Sequence, residues 1–228
     1  MLALLTTLAF ADCMSGSLTV SPDVGTAVPT RGELVVHAYG TERAQLADLT
    51  EADVALRTSD GTVVDVEFVA QHRGSFSDAQ LVLRPTADLP QGKVTLLVRG
   101  ESPTVWHDDA HRPIRWTVNL PPPTVPAWAS APEVTDNERI LMGCGPSIWA
   151  TVRTDVDAPW VDVTLAARGA EPVTGRVAVK DGAIRIGHGM CSGLFELERG
   201  TSYTAELTAV AADGSRAKAP SPVRFVAQ

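Results

Sequence analysis

Hydrophobic and polar residues alternate in short runs along most of this chain. In the clearest run, from Tyr203 to Ala209, every second residue is apolar and the residues between them are Thr or Glu. The side chains of a strand point alternately to the two faces of a sheet, so this run predicts a half-buried β-strand. Similar runs recur with turn residues between them, at intervals of roughly 8–12 residues, and no long stretch has the period of a helix. The pattern therefore predicts an all-β protein built as a sandwich.

Pairs of Asp and Gly mark the predicted hairpin turns. Both residues tolerate the positive φ angles that tight turns between strands require. Asp60-Gly61 and Asp181-Gly182 each lie between two apolar runs, and Asp213-Gly214 follows the run that ends at Ala209. The first two pairs predict hairpins that join strand 54–58 to strand 63–70, and strand 173–179 to strand 183–186.

The segment before Tyr203 predicts a tight corner between two strands. Leu197, Gly200 and Tyr203 belong to the pattern Leu-x-x-Gly-Thr-x-Tyr-x-Ala-x-Leu-x-Ala, which ends at Ala209. This pattern resembles the E–F corner of fibronectin type III and related Ig-like sandwiches. The resemblance implies that the Tyr203 hydroxyl forms a hydrogen bond back across the corner.

An earlier part of the chain repeats the spacing of this corner. Leu89 precedes Leu197 by 108 residues, and Gly92 precedes Gly200 by the same 108. This offset predicts two copies of one sandwich, each of roughly 100 residues. Three consecutive prolines in the segment Leu120–Pro126 lack amide donors, which favours a stiff interdomain spacer over a strand. The predicted organisation is two tandem Ig-like β-sandwiches, at 12–120 and 127–228, joined by a Pro-rich linker at 121–126.

The two halves resemble two different families. The first half is similar to the bacterial Ig-like domains of cell-envelope and surface-layer proteins, and the second is similar to fibronectin type III. The second half departs from that family at Val152, which stands where a core Trp is usual, while Trp149 faces the other way. The resemblances bear on architecture more than on activity. The predicted export signal, the tandem sandwiches, the stiff proline segment and the lack of catalytic motifs together predict an exported, non-catalytic spacer, adhesion or assembly module, and the expected partner is a protein or glycan at the cell surface. The first resemblance is carried by Val20-Ser-Pro22, Leu34-Val-Val36, Asp60-Gly61, Leu83-Arg-Pro85, Leu89-Pro-Gln-Gly92 and Arg115-Trp-Thr117.

The N-terminal segment predicts export. Residues 1–11 are apolar and end in Ala-Phe-Ala, a pattern typical of a secretory signal peptide cut before Asp12. No Lys or Arg precedes the apolar stretch, so the alternatives are an apolar tail or a true start upstream of Met1. Cys13 follows the predicted cleavage point and makes a lipid anchor a further alternative, although Asp12 is not the small residue that such processing favours. The expected location is periplasmic, cell-surface or extracellular.

Net charge limits the classes of partner that are expected, and the cysteines bear on disulfide formation. The formal charge of −8 argues against a nucleic acid or an anionic membrane as a partner, since both attract clustered Lys and Arg. No stretch reaches the ~18 apolar residues of a transmembrane helix.

In an exported chain we expect Cys144 and Cys191 to form a disulfide, with two free thiols as the alternative.

Two acidic segments are candidate metal sites. His107, Asp108, Asp109 and His111 offer the imidazole and carboxylate ligands that zinc and other divalent ions use. A solvated hairpin loop is the alternative there. The short segment from Asp155 to Asp157 offers carboxylates for calcium, with ordinary turn chemistry as the alternative.

Catalysis has little support in the sequence. It contains no nucleophile elbow, zinc-protease helix, phosphate loop or dinucleotide fingerprint, so we expect neither enzymatic activity nor a cofactor. Trp116 is predicted to lie in the core, whereas Trp128, Trp149 and Trp160 are candidates for exposure. Outward-facing aromatic rings either bind sugars or pack against a neighbouring domain, and packing is the favoured interpretation. The alternative function is an accessory protein that binds a metal or a carbohydrate through the 107–111 loop or these tryptophans.

Overall fold

The computed structural model describes residues 16–107, 110–121, 124–143 and 145–228. The predicted signal peptide at 1–11 and Cys13 lie outside the described residues. Of the described residues, 57% are in strands and 5% in helices, so the predicted all-β sandwich class is confirmed.

The first half is a sandwich whose two sheets share one long strand. The described elements are β1 (Ser17–Ser21), β2 (Ala27–Pro29), β3 (Leu34–Tyr39), α1 (Thr41–Ala47), a 3₁₀ turn (Glu51–Asp53), β4 (Val54–Thr58), β5 (Val63–Arg73), β6 (Asp78–Pro85), β7 (Gly92–Val98), β8 (Thr104–His107), β9 (Ala110–Pro113) and β10 (Arg115–Leu120).

Strand β5 passes from one sheet to the other. Its first residues pair with β4 in the sheet β5-β4-β7-β10-β2, and its later residues pair with β6 in the sheet β1-β3-β6-β5. A bulge between Phe68 and Ala70 interrupts the second pairing, as is common where a strand bends. The predicted hairpin at Asp60-Gly61 joins β4 to β5, as the sequence indicates.

The core of the first half lies between these two sheets. It contains the fully buried side chains of Leu34, Leu56, Leu83 and Leu96, together with Trp116, which is 0% exposed. The indole Nε1 of Trp116 donates a hydrogen bond to the carbonyl of Pro22 at 2.8 Å, so this large ring is buried without an unpaired donor. The core position predicted for Trp116 is confirmed.

The second half is a separate sandwich with its own core. Its described strands are β11 (Glu133–Met142), β12 (Gly145–Arg153), β13 (Trp160–Ala167), β14 (Val173–Ala178), β15 (Ala183–His188), β16 (Ser202–Val210), β17 (Arg216–Lys218) and β18 (Val223–Val226). One sheet has the order β11-β12-β15, and the other has the order β14-β13-β16-β17 with β18 also paired to β16. Ile148, Ala150 and Val152 point into the core between them, while Trp149 faces outward, as the alternation predicts.

The turn at Asp181-Gly182 has the local geometry of a two-residue hairpin turn, because Lys180 and Ala183 exchange both backbone hydrogen bonds across it, but the strands on its two sides do not pair as predicted. Strand β14 pairs with β13 in the larger sheet, whereas β15 pairs with β12 in the smaller one. The turn therefore carries the chain across the sandwich from one sheet to the other. The residues of a tight turn are the same in both cases, so local sequence does not distinguish a hairpin from a crossing between sheets.

The corner at Tyr203 is closed by the hydrogen bond that the resemblance implies. The hydroxyl of Tyr203 accepts from the backbone N–H of Glu198 at 2.9 Å, and the ring stacks on Phe225 with centroids 5.6 Å apart. Gly200 has a φ of 78°, a left-handed conformation that favours glycine, and its N–H donates to the carbonyl of Ala227 at 2.8 Å. The corner therefore ties the start of β16 to the last strand.

Candidate functional site between the two sandwiches

The outer face of sheet β1-β3-β6-β5 is covered by the second sandwich. Strands β3 and β6 are buried on both faces, and the outward side chains of Val35, Gln80 and Val82 are each less than 5% exposed. Val35 and Val82 form an apolar cluster with Trp160 and Val210 of the second half. Direct packing of the two halves therefore contributes to their relative geometry, and it is not only the chain between them that joins them.

Trp160 is the largest side chain of this contact. It is 1% exposed, and its Nε1 donates a hydrogen bond to the hydroxyl of Ser21 at 2.7 Å. Of the two interpretations offered by the sequence, interdomain packing is therefore correct for Trp160 and exposure is wrong. The alternation placed its side chain outside its own core, but the other sandwich covers that face.

Gln80 of the first half pairs with the edge of the larger sheet in the second half. Its amide makes the two backbone hydrogen bonds that a neighbouring strand would otherwise make. Gln80 Nε2 donates to the carbonyl of Arg176 at 2.7 Å, and the N–H of Arg176 donates to Gln80 Oε1 at 2.8 Å. Arg176 lies on β14, whose outer backbone groups face away from β13. One side chain of the first half thus satisfies both free backbone groups of a buried edge position, which would otherwise be costly.

The side chain of Arg176 is the centre of a polar cluster at the interface, which we define as Glu33, Arg84, Asp162, Arg176 and Arg216. Arg176 Nη1 lies 2.5 Å from Glu33 Oε2, and its Nε lies 2.7 Å from Asp162 Oδ1. Arg84 also pairs with Glu33, and Arg216 Nη2 lies 3.3 Å from it. The side chains of Glu33 and Arg176 are 0% and 1% exposed. Charges buried to this degree are tolerated only when they are paired and hydrogen-bonded, as they are here.

Opposing effects act on the pKa of Arg176. Burial disfavours its charged form and lowers the pKa, but hydrogen bonds and charges from Asp162 and Glu33 outweigh that effect. The resulting pKa lies above the usual value, so Arg176 keeps its charge in the interface.

A second contact joins a loop of each half. Backbone Ser75 N–H donates to the carbonyl of Leu194 at 2.8 Å, and the hydroxyl of Ser77 donates to the carbonyl of Cys191 at 2.7 Å. Phe76 stacks on the buried ring of His188 with centroids 4.3 Å apart. We call this the loop contact.

The first-half side of the loop contact is held in place and fits closely against the second half. Arg43 of α1 donates to the carbonyls of Phe76 and Gly74 at 3.1 and 3.0 Å, which fixes the loop of the first half. A Cβ at Gly74 would lie 2.6 Å from the carbonyl oxygen of Leu194, so only glycine permits the close approach of the two backbones.

Between the polar cluster and the loop contact lies a cleft of about 740 Å³, the interface cleft. Its volume is within the range of roughly 300–1,000 Å³ that small-molecule sites occupy. The first half contributes Thr19 and His37, and the second half contributes Trp149, Lys180 and Arg185. The cleft exists only because the two sandwiches pack at this geometry.

Trp149 forms one wall of the interface cleft. It lies half-buried on the outward face of β12, and the guanidinium carbon of Arg185 lies 4.6 Å from the centroid of its ring. Arg185 is in turn paired with Glu138, so the cation is held over the indole. Gly187 lies opposite Trp149 on β15 and has no side chain to cover the ring.

A histidine and a buried aspartate occupy the opposite wall. His37 Nε2 lies 2.7 Å from Asp78 Oδ2, and the hydroxyl of Ser77 donates to Asp78 Oδ1 at 2.9 Å. The hydroxyl of Thr19 lies 3.5 Å from His37 Nδ1. These groups place a hydroxyl, an imidazole and a carboxylate on this wall of the cleft.

The predicted metal ligands are only partly described. Asp108, Asp109 and the side chain of His107 lie outside the described residues, and His111 packs edge-on against Trp106 with centroids 5.2 Å apart. Asp155 and Asp157 are both exposed. Within 16–107, 110–121, 124–143 and 145–228, no group of three His, Cys, Asp or Glu residues is placed to hold a metal ion.

Other predictions at these loops stay open. Cys144 lies outside the described residues, so its pairing with Cys191 stays a prediction. Trp128 is half-buried, and its Nε1 donates to the carbonyl of Ala217 at 2.9 Å, so it packs within the second sandwich rather than between the halves.

In the described part of the chain, no helix is both apolar enough and long enough to cross a membrane.

Sequence reasoning missed the residues that join the halves, above all Glu33, Gln80 and Arg176. A signal for them exists, because each interrupts or borders an apolar run in a strand where the opposite face is already apolar. Such polar residues on a strand buried on both faces indicate a polar contact across an interface.

No protein-family model matches this chain, and no curated protein sequence matches it. Solved structures with a similar outline include dimeric latent PorU from Porphyromonas gingivalis, with 15% identity and a TM-score of 0.31 over 94% of this chain and 20% of that one. The N-terminal part of the bacterial S-layer protein SbsC has 11% identity and a TM-score of 0.27 over 95% of this chain and 45% of that one. A pullulanase from Anoxybacillus sp. LM18-11, complexed with maltotriose, has 11% identity and a TM-score of 0.28 over 86% of this chain. This chain spans only 24% of the pullulanase, and likenesses at this level carry no argument about function.

Proposed function

We propose that this chain is an exported, non-catalytic module of the cell surface in which two β-sandwiches act as one rigid body for adhesion or assembly. The observation that carries the proposal is the buried ion pair between Glu33 of the first half and Arg176 of the second. A module with a flexible linker would expose both charges each time the halves separated. The two halves are therefore proposed to move together.

Several further contacts support a rigid body. Gln80 pairs with both backbone groups of Arg176, and Trp160 is buried against the first half. The loop contact adds backbone hydrogen bonds at a second place on the interface. Rigid-body behaviour suits a protein that holds a partner at a set orientation, since little conformational entropy is lost on binding.

Equilibrium unfolding of the full chain tests the rigid-body part of this proposal. We expect urea unfolding, followed by hydrogen exchange of peptides from 34–39 and from 160–167, to show one transition with the same midpoint for both halves. Two separate midpoints would contradict it. Glu33→Gln is expected to lower both midpoints together, because its carboxylate belongs to the shared interface.

The surface location needs its own test. Intact cells that produce the full chain are treated with a protease that does not enter them, and the protein is then detected by immunoblot. Loss of the protein from intact cells is the expected result, and a cytoplasmic protein of the same cells serves as the control. Full protection in intact cells, with digestion only after lysis of every compartment, would contradict export to the surface.

A further inference from the structure

We infer that the interface cleft binds an uncharged saccharide chain, with Trp149 as the stacking platform. The inference rests on the proposed function in one respect, since both walls of the cleft must be held together by the packing of the two halves. It adds a ligand class and a site that belong to neither sandwich alone.

The ring of Trp149 has the features of a stacking surface. It lines the cleft on the outward side of β12, and the residue opposite it on β15 is Gly187, which has no side chain to place against the indole. No residue with a side chain fits at position 187, because its Cβ would lie 2.1 Å from the carbonyl oxygen of Ile148. Arg185, stacked at 4.6 Å and paired with Glu138, fixes the orientation of the ring before any ligand arrives. A pre-oriented aromatic face matches the apolar C–H face of a pyranose ring.

The polar groups around the ring suit hydroxyl groups. The hydroxyls of Thr19, Thr151 and Ser192 line the cleft, together with the imidazole of His37. Each hydroxyl donates one hydrogen bond and accepts others, as does each hydroxyl of a sugar. These groups lie on both walls, so a ligand that spans the cleft meets donors and acceptors on each side.

The charges that line the cleft argue for an uncharged ligand. The acidic side chains are Asp23, Asp78 and Asp181, and the basic ones are Lys180, Arg185 and Arg176. Arg176 is already engaged by Glu33 and Asp162, and Arg185 by Glu138. No excess of positive charge therefore remains for a sulfated or carboxylated polymer, which would require clustered cations.

A peptide that adds a strand to one of the sheets is less well suited to this cleft. The outward backbone groups of β14 at Arg176 are occupied by Gln80. Near the end of β15, the carbonyl of Gly187 accepts from the N–H of Phe195 at 3.4 Å. Strand addition depends on unpaired backbone groups along an edge, and at both of these positions they are taken.

The test is calorimetric titration of the full chain with maltopentaose, cellopentaose, laminaripentaose and chitopentaose, together with intrinsic tryptophan fluorescence. We expect at least one of these neutral probes to bind with a dissociation constant of ~1 mM or tighter. Trp149→Ala is expected to weaken that binding at least about tenfold, because the stacking surface is removed. Thr19→Trp, at an exposed position on the opposite wall, is expected to weaken it by narrowing the cleft. Trp106→Ala is the matched control and should change nothing, since Trp106 is 62% exposed on the β8–β9 hairpin and is not one of the residues that line the cleft.

Four results would overturn the inference. In the first two, none of the four probes binds, or a probe binds equally well to both cleft variants and to the parent chain. In the other two, Trp106→Ala abolishes binding, or oligogalacturonate binds more tightly than every neutral probe. Unfolding with a single midpoint but no sugar binding would remove this inference and leave the proposed function intact. Sugar binding that the cleft variants weaken, together with two unfolding midpoints, would contradict cooperative rigid-body behaviour but leave this inference, because the halves can pack in the native state and still unfold one after the other.

Discussion

The ion pairs Arg176–Glu33 and Arg153–Glu133 join the same chemical groups at the same distance in opposite surroundings. Both have a nitrogen–oxygen separation of 2.5 Å. The side chains of the first pair are 1% and 0% exposed, whereas those of the second are 60% and 64% exposed. Distance alone therefore says little about what an ion pair contributes to stability.

Burial decides the difference because water competes for charges that it can reach. At the exposed pair, solvent screens the attraction, and fixing two long side chains costs entropy. At the buried pair, water cannot replace a lost partner, so the loss of Arg176 leaves the buried Glu33 carboxylate with only the partly exposed Arg84 and Arg216. The comparison predicts that the interface, and not the surface strands, is where substitutions act most strongly.

The largest expected effect is that of Arg176→Met. This change keeps most of the side-chain volume. It removes one cation from the buried Glu33 carboxylate, and it removes the guanidinium that binds both carboxylate oxygens of Asp162. We expect the free energy of unfolding to fall by ~3–5 kcal/mol, measured by urea denaturation of the full chain. A loss of less than ~1 kcal/mol would place this pair in the same class as surface pairs and contradict the comparison.

Removal of the Gln80 amide, which pairs with the free backbone groups of β14, should have the next largest effect. In Gln80→Ala, the buried N–H and carbonyl of Arg176 both lose their partner. We expect a loss of ~1–3 kcal/mol in the free energy of unfolding, the usual consequence of unsatisfied buried polar groups. Gln71→Ala is a suitable control, since Gln71 is an exposed glutamine whose amide donates to the carbonyl of Ala47 within the first half. An equal loss in both variants would contradict the role given to Gln80.

A smaller, pH-dependent effect is expected from His72 on β5. Burial lowers the pKa of His72 below its usual value, and the charge of Arg176 lowers it further, against an opposing effect of Asp162. The folded protein therefore favours neutral His72, while the unfolded chain takes up a proton at the ordinary value of 6.5. Stability is thus expected to fall as the pH drops below that value, since the unfolded state then binds more protons.

His72→Gln isolates this contribution. The variant should lose less stability than the parent chain between neutral pH and pH 5, as measured by urea unfolding at each pH. Other histidines contribute equally to both curves, so only the difference between the curves is informative. Parallel curves for the two proteins would show that His72 has no such role.

The smallest effect is expected at the exposed pair. Arg153→Met should change the free energy of unfolding by less than ~1 kcal/mol, because solvent replaces the lost partner. The variant is also the matched control for Arg176→Met, since both substitutions remove a guanidinium 2.5 Å from a carboxylate. A loss as large as that of the buried variant would show that burial is not what separates the two pairs.

The site was less accessible to sequence analysis than the fold. Alternation correctly placed Trp149 and Trp160 on the outward faces of β12 and β13, yet one lines a cleft and the other is buried against the first half. A local pattern reports that a side chain leaves its own core, but not what lies beyond it. The same limit explains why the turn at Asp181-Gly182 was predicted as a hairpin although it joins two different sheets.

Features that depend on neighbouring residues could be predicted from the chain alone. These are the strands and the core position of Trp116, since side-chain alternation and turn chemistry act over a few residues. The Tyr203 hydrogen bond followed from the resemblance to a known corner. The contact of Glu33 with Arg176 and the pairing of Gln80 with the edge of β14 depend on the assembled fold, because these residues are separated by 143 and 96 positions. Their attraction depends on burial, and burial depends on how two complete sandwiches come together. The interface cleft follows from that same packing, and neither half contains it alone.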